Sequence, residues 1–118
     1  MEEELARLFD EHGVVWEYEP HTFVLDYDEH GNVVEAFTPD FFLPELGVYV
    51  ECTVMRQALT SRKRRKARRL RELTGIRVEI LFRRDFERLA RTWGLGRLGA
   101  AARQVSRSPS PGTARGYE

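Results

Sequence analysis

The chain has 118 residues, of which 42% are hydrophobic and 32% charged, a composition typical of a single globular domain. Its one cysteine, Cys52, excludes a disulfide framework, and we find neither a membrane-spanning apolar run nor a signal-peptide pattern, so we expect a cytoplasmic protein with no membrane partner. The net charge of zero hides an asymmetry: residues 1–51 hold 14 of the 19 acids, and residues 52–118 hold 18 of the 19 lysines and arginines. This pattern suits a metal-dependent enzyme acting on a polyanion, or two halves that neutralise each other.

The first third of the chain predicts one helix followed by three strands. Leu5, Leu8 and Phe9 recur at helical spacing, and Gly13 ends the helix, which we expect over residues 2–12. The strands are expected over residues 14–18, 21–27 and 32–37. The polar segment 26–32 superficially resembles a calcium loop, but the residues at its ligand positions are wrong, so we predict a hairpin turn there.

Residues 37–53 predict a central β-hairpin that contains the main candidate functional residues. A turn between Glu45 and Leu46 would pair Phe42 with Tyr49, so that Asp40 falls opposite Glu51. Side chains alternate between the two faces of a strand. One face then carries Asp40, Phe42, Tyr49, Glu51 and Thr53, and the other, which is apolar and expected in the core, carries Phe41, Leu43, Val48, Val50 and Cys52.

The opposed carboxylates of Asp40 and Glu51 are the first candidate functional groups. Their Cβ atoms would lie about 5 Å apart. At an effective dielectric of about 20, the repulsion would be roughly 3 kcal/mol, so a raised pKa, a basic side chain or a bound cation must offset it. Carboxylate oxygens are ligands that suit Mg²⁺ or Mn²⁺. The alternative is that the two acids lie well separated on a solvent-facing surface of the sheet.

A basic helix is predicted over residues 61–73, with Thr60 or Ser61 as its N-cap and Gly75 at its end. Eight of the eleven residues 62–72 are basic. Such a run forms either a solvated face or a face that contacts phosphates.

Helical spacing gives the two lysines of this helix a special position. Five residues fall on one stripe, which should face the sheet: Leu59, Lys63, Lys66, Leu70 and Leu73. Lys63 and Lys66 are also the only lysines in a chain with 17 arginines. A lysine supplies a compact point charge that arginine does not. The two lysines are therefore candidates for a site on the sheet, or they extend along the helix edge into solvent.

The end of the chain predicts a strand over residues 76–82 and a last helix that Asp85 caps and that carries Phe86, Leu89 and Trp93. Residues 94–99 match G-x-G-x-x-G, but they follow a helix rather than a strand, so a dinucleotide site is rejected. We place the domain at residues 1–93 and expect a disordered tail over residues 94–118.

Three segments together resemble the PD-(D/E)XK nuclease superfamily, and most closely its small junction-resolving and transposase-type endonucleases. They are Glu-Tyr-Glu at residues 17–19, Thr-Pro-Asp-Phe-Phe-Leu-Pro at residues 38–44, and Val-Glu-Cys-Thr at residues 50–53. The resemblance covers roughly residues 2–82. It implies an α/β fold of the restriction-endonuclease-like type, an αβββαβ core with a central mixed sheet flanked by helices.

The resemblance also implies a function and a site. The function is metal-dependent hydrolysis of phosphodiester bonds in DNA, with Mg²⁺ or Mn²⁺ as cofactor, DNA as partner and a second copy of the chain as a further candidate partner. The implied metal ligands are Asp40, Glu51, the carbonyl of Cys52, and Glu2. The catalytic residues would be Asp40 and Glu51 with Lys66 or Lys63, in that order of preference, and the nucleic-acid-binding residues would be Arg62, Arg64, Arg65, Arg68 and Arg69.

One departure from the family pattern keeps other functions open. The lysine of the motif falls at Thr53, which cannot carry positive charge. In several members of the superfamily a lysine from the following helix takes its place, which is the role suggested for Lys63 and Lys66. Otherwise the chain is a catalytically inactive nucleic-acid-binding module of the same fold, or a partner-binding domain whose two charged halves serve assembly.

Overall fold

The computed structural model describes the backbone of residues 1–104 and the side chains of residues 1–95. The helices are α1 (Glu2–Glu11), α2 (Gln57–Thr74) and α3 (Phe86–Gln104), and a 3-10 turn (Arg83–Asp85) precedes α3. The strands are β1 (Glu17–Tyr18), β2 (Phe23–Tyr27), β3 (Val33–Phe37), β4 (Phe41–Leu43), β5 (Val48–Thr53) and β6 (Val78–Phe82). The predicted α/β class is confirmed.

The main sheet is mixed and has four strands in the order β1-β4-β5-β6. β4 is antiparallel to β1 and β5, whereas β6 returns through α2 and runs parallel to β5. The strands β2 and β3 pair only with each other, as a separate antiparallel hairpin. The strands predicted over residues 21–27 and 32–37 are thus present, but as a hairpin outside the four-stranded sheet.

The register of the central hairpin is as predicted, with Phe42 opposite Tyr49. Gly47 closes the turn with a φ of +67°, which a residue with a side chain rarely adopts. The face predicted to be apolar packs against α1 and α3, and together they form the largest core cluster. Its members are Leu5, Leu8, Phe9, Val14, Phe41, Leu43, Val48, Val50, Cys52, Leu81, Phe86 and Ala90.

The opposite face of the sheet is also covered. Phe42 and Tyr49 stack there with ring centroids 4.5 Å apart, against Phe23 of the separate hairpin. Leu70 of α2 packs with Leu25 and Phe37 of the same hairpin. The sheet therefore lies between α1 and α3 on one side and α2 with the β2–β3 hairpin on the other. The alternative in which Asp40 and Glu51 lie on a solvent-facing surface of the sheet is therefore excluded.

Helix α2 begins at Gln57, four residues earlier than predicted, and no side chain caps its first turn. Thr60, proposed as a cap, is instead buried within the helix. The end is as predicted, because Gly75 takes the left-handed conformation at the C-cap, with φ +80°. The predicted apolar stripe is correct at Leu70 but wrong at Leu73, which is 48% exposed.

Helix α3 begins directly after Asp85, whose carboxylate accepts a hydrogen bond from the Phe82 amide at 3.2 Å. The helix continues to Gln104, past the domain boundary placed at residue 93. The remainder of the predicted tail, residues 105–118, lies outside the described residues. No helix in the described part of the chain is long and apolar enough to cross a membrane.

Gly94 of α3 packs closely against His12, the residue that follows α1. A Cβ at this position would clash with the carbonyl oxygen of His12 and lie 3.0 Å from the His12 Cβ. Its role in the glycine-rich run is therefore packing between helices.

We expect Gly94→Ala to destabilise the protein by about 1–3 kcal/mol, because the helices must separate to admit the methyl group. The sign is diagnostic, since Gly→Ala inside an unconstrained helix stabilises by about 1 kcal/mol. Urea denaturation measures the change, with Arg91→Ala on the exposed side of α3 as the control. A variant as stable as the wild type would show that the contact is not restrictive.

Candidate active site

Asp40 and Glu51 lie side by side at one end of the central hairpin, as the register predicted. The amide of Cys52 donates to Asp40 Oδ2 at 2.9 Å, and the amide of Asp40 donates to Glu51 Oε1 at 3.1 Å. Each carboxylate is thus held by the backbone of the other's strand. Both residues are buried, with 7% and 8% of their surface exposed.

Burial changes the acidity of both carboxyl groups. It raises the pKa of Glu51 to about 7, with a further contribution from the charge of Asp40, while Lys63 opposes the rise without cancelling it. Burial likewise raises the pKa of Asp40. The site therefore holds less positive charge than its two carboxylates require.

Cys52 contributes its backbone rather than its thiol. Burial, followed by the neighbouring charge of Asp40, raises the pKa of the thiol to about 12, so a reactive thiolate does not form near neutral pH. The Cys52 carbonyl, which the resemblance implies as a metal ligand, accepts a hydrogen bond from an ammonium group instead.

That ammonium belongs to Lys63. Its Nζ lies 3.2 Å from Glu51 Oε2 and donates to the Cys52 carbonyl at 2.5 Å. Thr53, at the motif position of the missing lysine, is buried, and its hydroxyl lies 3.4 Å from that of Thr60, one turn before Lys63 on α2. A lysine from the following helix therefore reaches the acid pair at Glu51, as the resemblance suggested.

Lys66 does not reach the carboxylates. Its Nζ donates to the carbonyl of Ala36 in β3 at 3.0 Å, which fastens α2 to the separate hairpin. The helical spacing correctly predicted that both lysines point toward the sheet. It is Lys63, however, and not the preferred Lys66, that lies beside an acid.

Glu2 lies near the pair without joining it. After burial and the opposing bond from Cys52, its charge is among the causes that raise the pKa of Asp40. Its Oε1 accepts a hydrogen bond from the Tyr18 hydroxyl at 2.6 Å, and this bond is the main cause that raises the pKa of Tyr18. Within the described residues, no group of three or more His, Cys, Asp or Glu side chains meets as a metal site.

Tyr18 and Thr60 are the neighbours of the site that the sequence prediction did not include. Thr60 could have been found, because it lies three residues before Lys63 and so on the same helical face. For Tyr18 the sequence offers no signal beyond its position in the Glu-Tyr-Glu segment, and that position does not indicate a hydrogen bond to Glu2 in α1.

The five arginines proposed to bind nucleic acid are all exposed on α2: Arg62, Arg64, Arg65, Arg68 and Arg69. Arg65 is engaged by Glu35 of β3 through two hydrogen bonds, at 2.7 and 3.2 Å. In the part of the chain with described side chains, no ion pair engages the other four. Their guanidinium groups remain available to an anionic partner.

Comparisons with known proteins do not assign the chain to a family. No family model matches it, and no curated protein or solved structure matches it at a significant level.

The raised pKa of Glu51 predicts that stability falls as the pH rises. In the folded protein Glu51 keeps its proton up to about pH 7, whereas in the unfolded chain it loses the proton near pH 4.5. Its contribution to stability is therefore complete below pH 4.5 and lost above pH 7. We expect this group to account for up to about 3 kcal/mol of unfolding free energy. Urea denaturation in EDTA between these pH values measures it.

The variant Glu51→Gln should reduce this slope to the part that Asp40 contributes, because an amide does not titrate and burial also raises the pKa of Asp40. Glu35→Gln is the matched control, because Arg65 holds the pKa of Glu35 below its usual range and outside the window. A Glu51→Gln profile parallel to the wild type would show that Glu51 is ionised throughout.

Proposed function

We propose that this protein is a metal-dependent DNA endonuclease whose site consists of Asp40, Glu51 and Lys63. The observation that carries the proposal is the contact between the Lys63 ammonium and Glu51, at 3.2 Å. A catalytic site of this type needs a positive charge beside the two acids. Thr53 cannot supply it, although it stands at the position of the motif lysine. Lys63 meets that requirement from the next helix.

The topology supports a restriction-endonuclease-like core. If the β2–β3 hairpin is set aside as an insertion, the order of elements up to β6 is α-β-β-β-α-β. The strands of the sheet then follow one another in space in chain order, and only the last is parallel to its neighbour. The two acids lie at the hairpin formed by the second and third of these strands.

The donor set fits Mg²⁺ or Mn²⁺. Two buried carboxylates with one ammonium leave an excess of negative charge, and all the candidate ligand atoms are oxygens, which hard divalent cations prefer. Asp40 and Glu51 would hold the cation, and the Cys52 carbonyl would have to exchange its bond to Lys63 for one to the cation. Glu2 is a further acid, whose charge already acts on Asp40. Mg²⁺ keeps several waters, so a site with few protein ligands suits it. When bound, such a cation activates water and stabilises charge on the phosphoryl oxygens.

The remaining groups would bind and position the DNA. The Lys63 ammonium, held at the edge of the acid pair, can donate a hydrogen bond to an anionic oxygen of the scissile phosphate. The exposed arginines of α2 can bind backbone phosphates without reading sequence. The apolar core beneath β4 and β5 holds Asp40 and Glu51 in a fixed relative position.

A nucleic-acid-binding module without activity is the second candidate, and one observation favours it. The Lys63 ammonium already contacts the Glu51 carboxylate and the Cys52 carbonyl, which are two of the groups that a metal would need. Lys63 would then be a structural replacement for the cation. Metal binding and cleavage distinguish the two candidates.

The first test is whether the acid pair binds a cation. Titration of Mn²⁺ followed by calorimetry should show one site in the wild type and its loss in Asp40→Asn, because the amide lacks the charge that attracts the ion. Glu35→Gln, which removes a carboxylate from β3, should bind as the wild type does. Equal binding by Asp40→Asn and the wild type would reject the metal site.

The second test is cleavage of supercoiled plasmid and branched DNA with Mg²⁺ or Mn²⁺. We expect Lys63→Met to lower the rate about 100-fold, equivalent to about 3 kcal/mol of barrier, because a charge that stabilises the transition state is lost. Lys66→Met is the matched control: both ammonium groups bond a backbone carbonyl, but only that of Lys63 contacts a carboxylate.

Two results would contradict the proposal in different ways. If Lys63→Met cleaves like the wild type, Lys63 has no role in the reaction. If the wild type cleaves no form of DNA with either metal, the inactive binding module is the better description.

A further inference from the structure

A groove lies where the parallel strands β5 and β6 end, and we call it the strand-end groove. It consists of two adjoining cavities, of about 600 and 330 Å³, which share Met55 and Phe82. Their basic lining residues are Arg56, Arg64, Arg83 and Arg84. Among the residues whose side chains the structure describes, neither cavity is lined by an acidic residue, so this lining is positive.

The floor of the groove is apolar and open to solvent. Met55 is 69% exposed and Val54 is 42% exposed, in the connector between β5 and α2. The guanidinium of Arg84 lies 5.0 Å from the centre of the Phe82 ring, and its Nη1 lies 3.4 Å from the sulfur of Met55. Sulfur, ring and guanidinium thus form one contiguous surface.

The arginines of the groove are mostly available for a ligand. Arg83 is bound to Glu4 at 2.6 Å. For Arg56, Arg64 and Arg84, no ion pair to an acid is found among residues 1–95. Three unneutralised guanidinium groups beside an exposed apolar floor favour a ligand that combines negative charge with flat apolar faces.

The groove adjoins the acid–lysine site. Thr53, two residues after Glu51, lines one cavity, and Thr60, one turn before Lys63, lines the other. The two threonine hydroxyls meet 3.4 Å apart. A strand of DNA whose phosphate lies at Glu51 and Lys63 could therefore continue into the groove.

We propose that the strand-end groove binds unpaired nucleotides of single-stranded DNA next to the scissile phosphate, an inference that rests on the proposed function. Bases released from a duplex expose faces that stack on arginine planes and aromatic rings, and their phosphates pair with arginine. Duplex DNA keeps these faces stacked inside the helix and offers the groove only phosphates. The substrate class is therefore DNA with a single-stranded segment.

The experiment compares binding of fluorescent oligo-dT and of a blunt duplex of equal length by anisotropy, with the full chain in EDTA. We expect the double variant Met55→Ala, Arg84→Ala to bind oligo-dT about 10-fold more weakly, because a stacking surface is lost, and the duplex within about threefold of wild type. The matched control is Arg71→Ala, Leu73→Ala, which removes one exposed arginine and one exposed apolar side chain elsewhere on α2. This control variant should change the affinities for oligo-dT and for the duplex by the same factor.

The outcomes separate the two proposals. If the wild type binds both DNA forms and the groove variant loses them equally, or loses neither, the inference is wrong while the proposed function stands. A selective loss of oligo-dT by the control variant would also overturn it. If the wild type binds neither form, the inference and the proposed function both fail. Since Met55 and Arg84 are exposed, the variant should melt like the wild type; if it does not, Met55→Gln alone gives the same comparison.

Discussion

The burial of two carboxylates against each other is the constraint to which the rest of this protein responds. At the spacing of paired strands their repulsion is about 3 kcal/mol, and removal from water adds a cost for each charge. Two backbone amides and the Lys63 ammonium offset part of this cost. The raised pKa of Glu51 shows that the offset is incomplete. An acid pair whose charge is only partly offset is suited to a bound cation.

The position of Lys63 depends on how α2 is held over the sheet. Three kinds of contact join α2 to the β2–β3 hairpin: Leu70 packs on its apolar side, Lys66 bonds its backbone, and Arg65 pairs with Glu35. These contacts fix the rotation of the helix about its axis. The same rotation directs Lys63 at Glu51 and leaves most of the arginines in solvent. The hairpin thus contributes to the site although it supplies no residue to it.

Sequence patterns predicted the parts of the structure that depend on local alternation. The two-residue period on either side of the turn predicted the pairing of Phe42 with Tyr49, and with it the proximity of Asp40 and Glu51. The patterns could not show that β2 and β3 leave the main sheet, because strand partners are chosen by tertiary packing. They also missed the start of α2, since no capping residue marks it. The choice between Lys63 and Lys66 depended on where Ala36 lies, which no local pattern contains. The metal, the DNA and the reaction remain predictions.

The acid–lysine cluster also has a consequence for how the protein folds. Its members, Asp40, Glu51, Cys52 and Lys63, come from one continuous segment that contains a tight turn and a short connector. The entropy of closing these short loops is small, and contacts of low sequence separation form quickly. The contacts within the cluster therefore need only short loop closures, whereas its burial also needs α1 and α3, and the orientation of Lys63 needs the β2–β3 hairpin. A candidate site that is this local in sequence depends on distant segments of the chain for its burial and orientation, but not for bringing its members together.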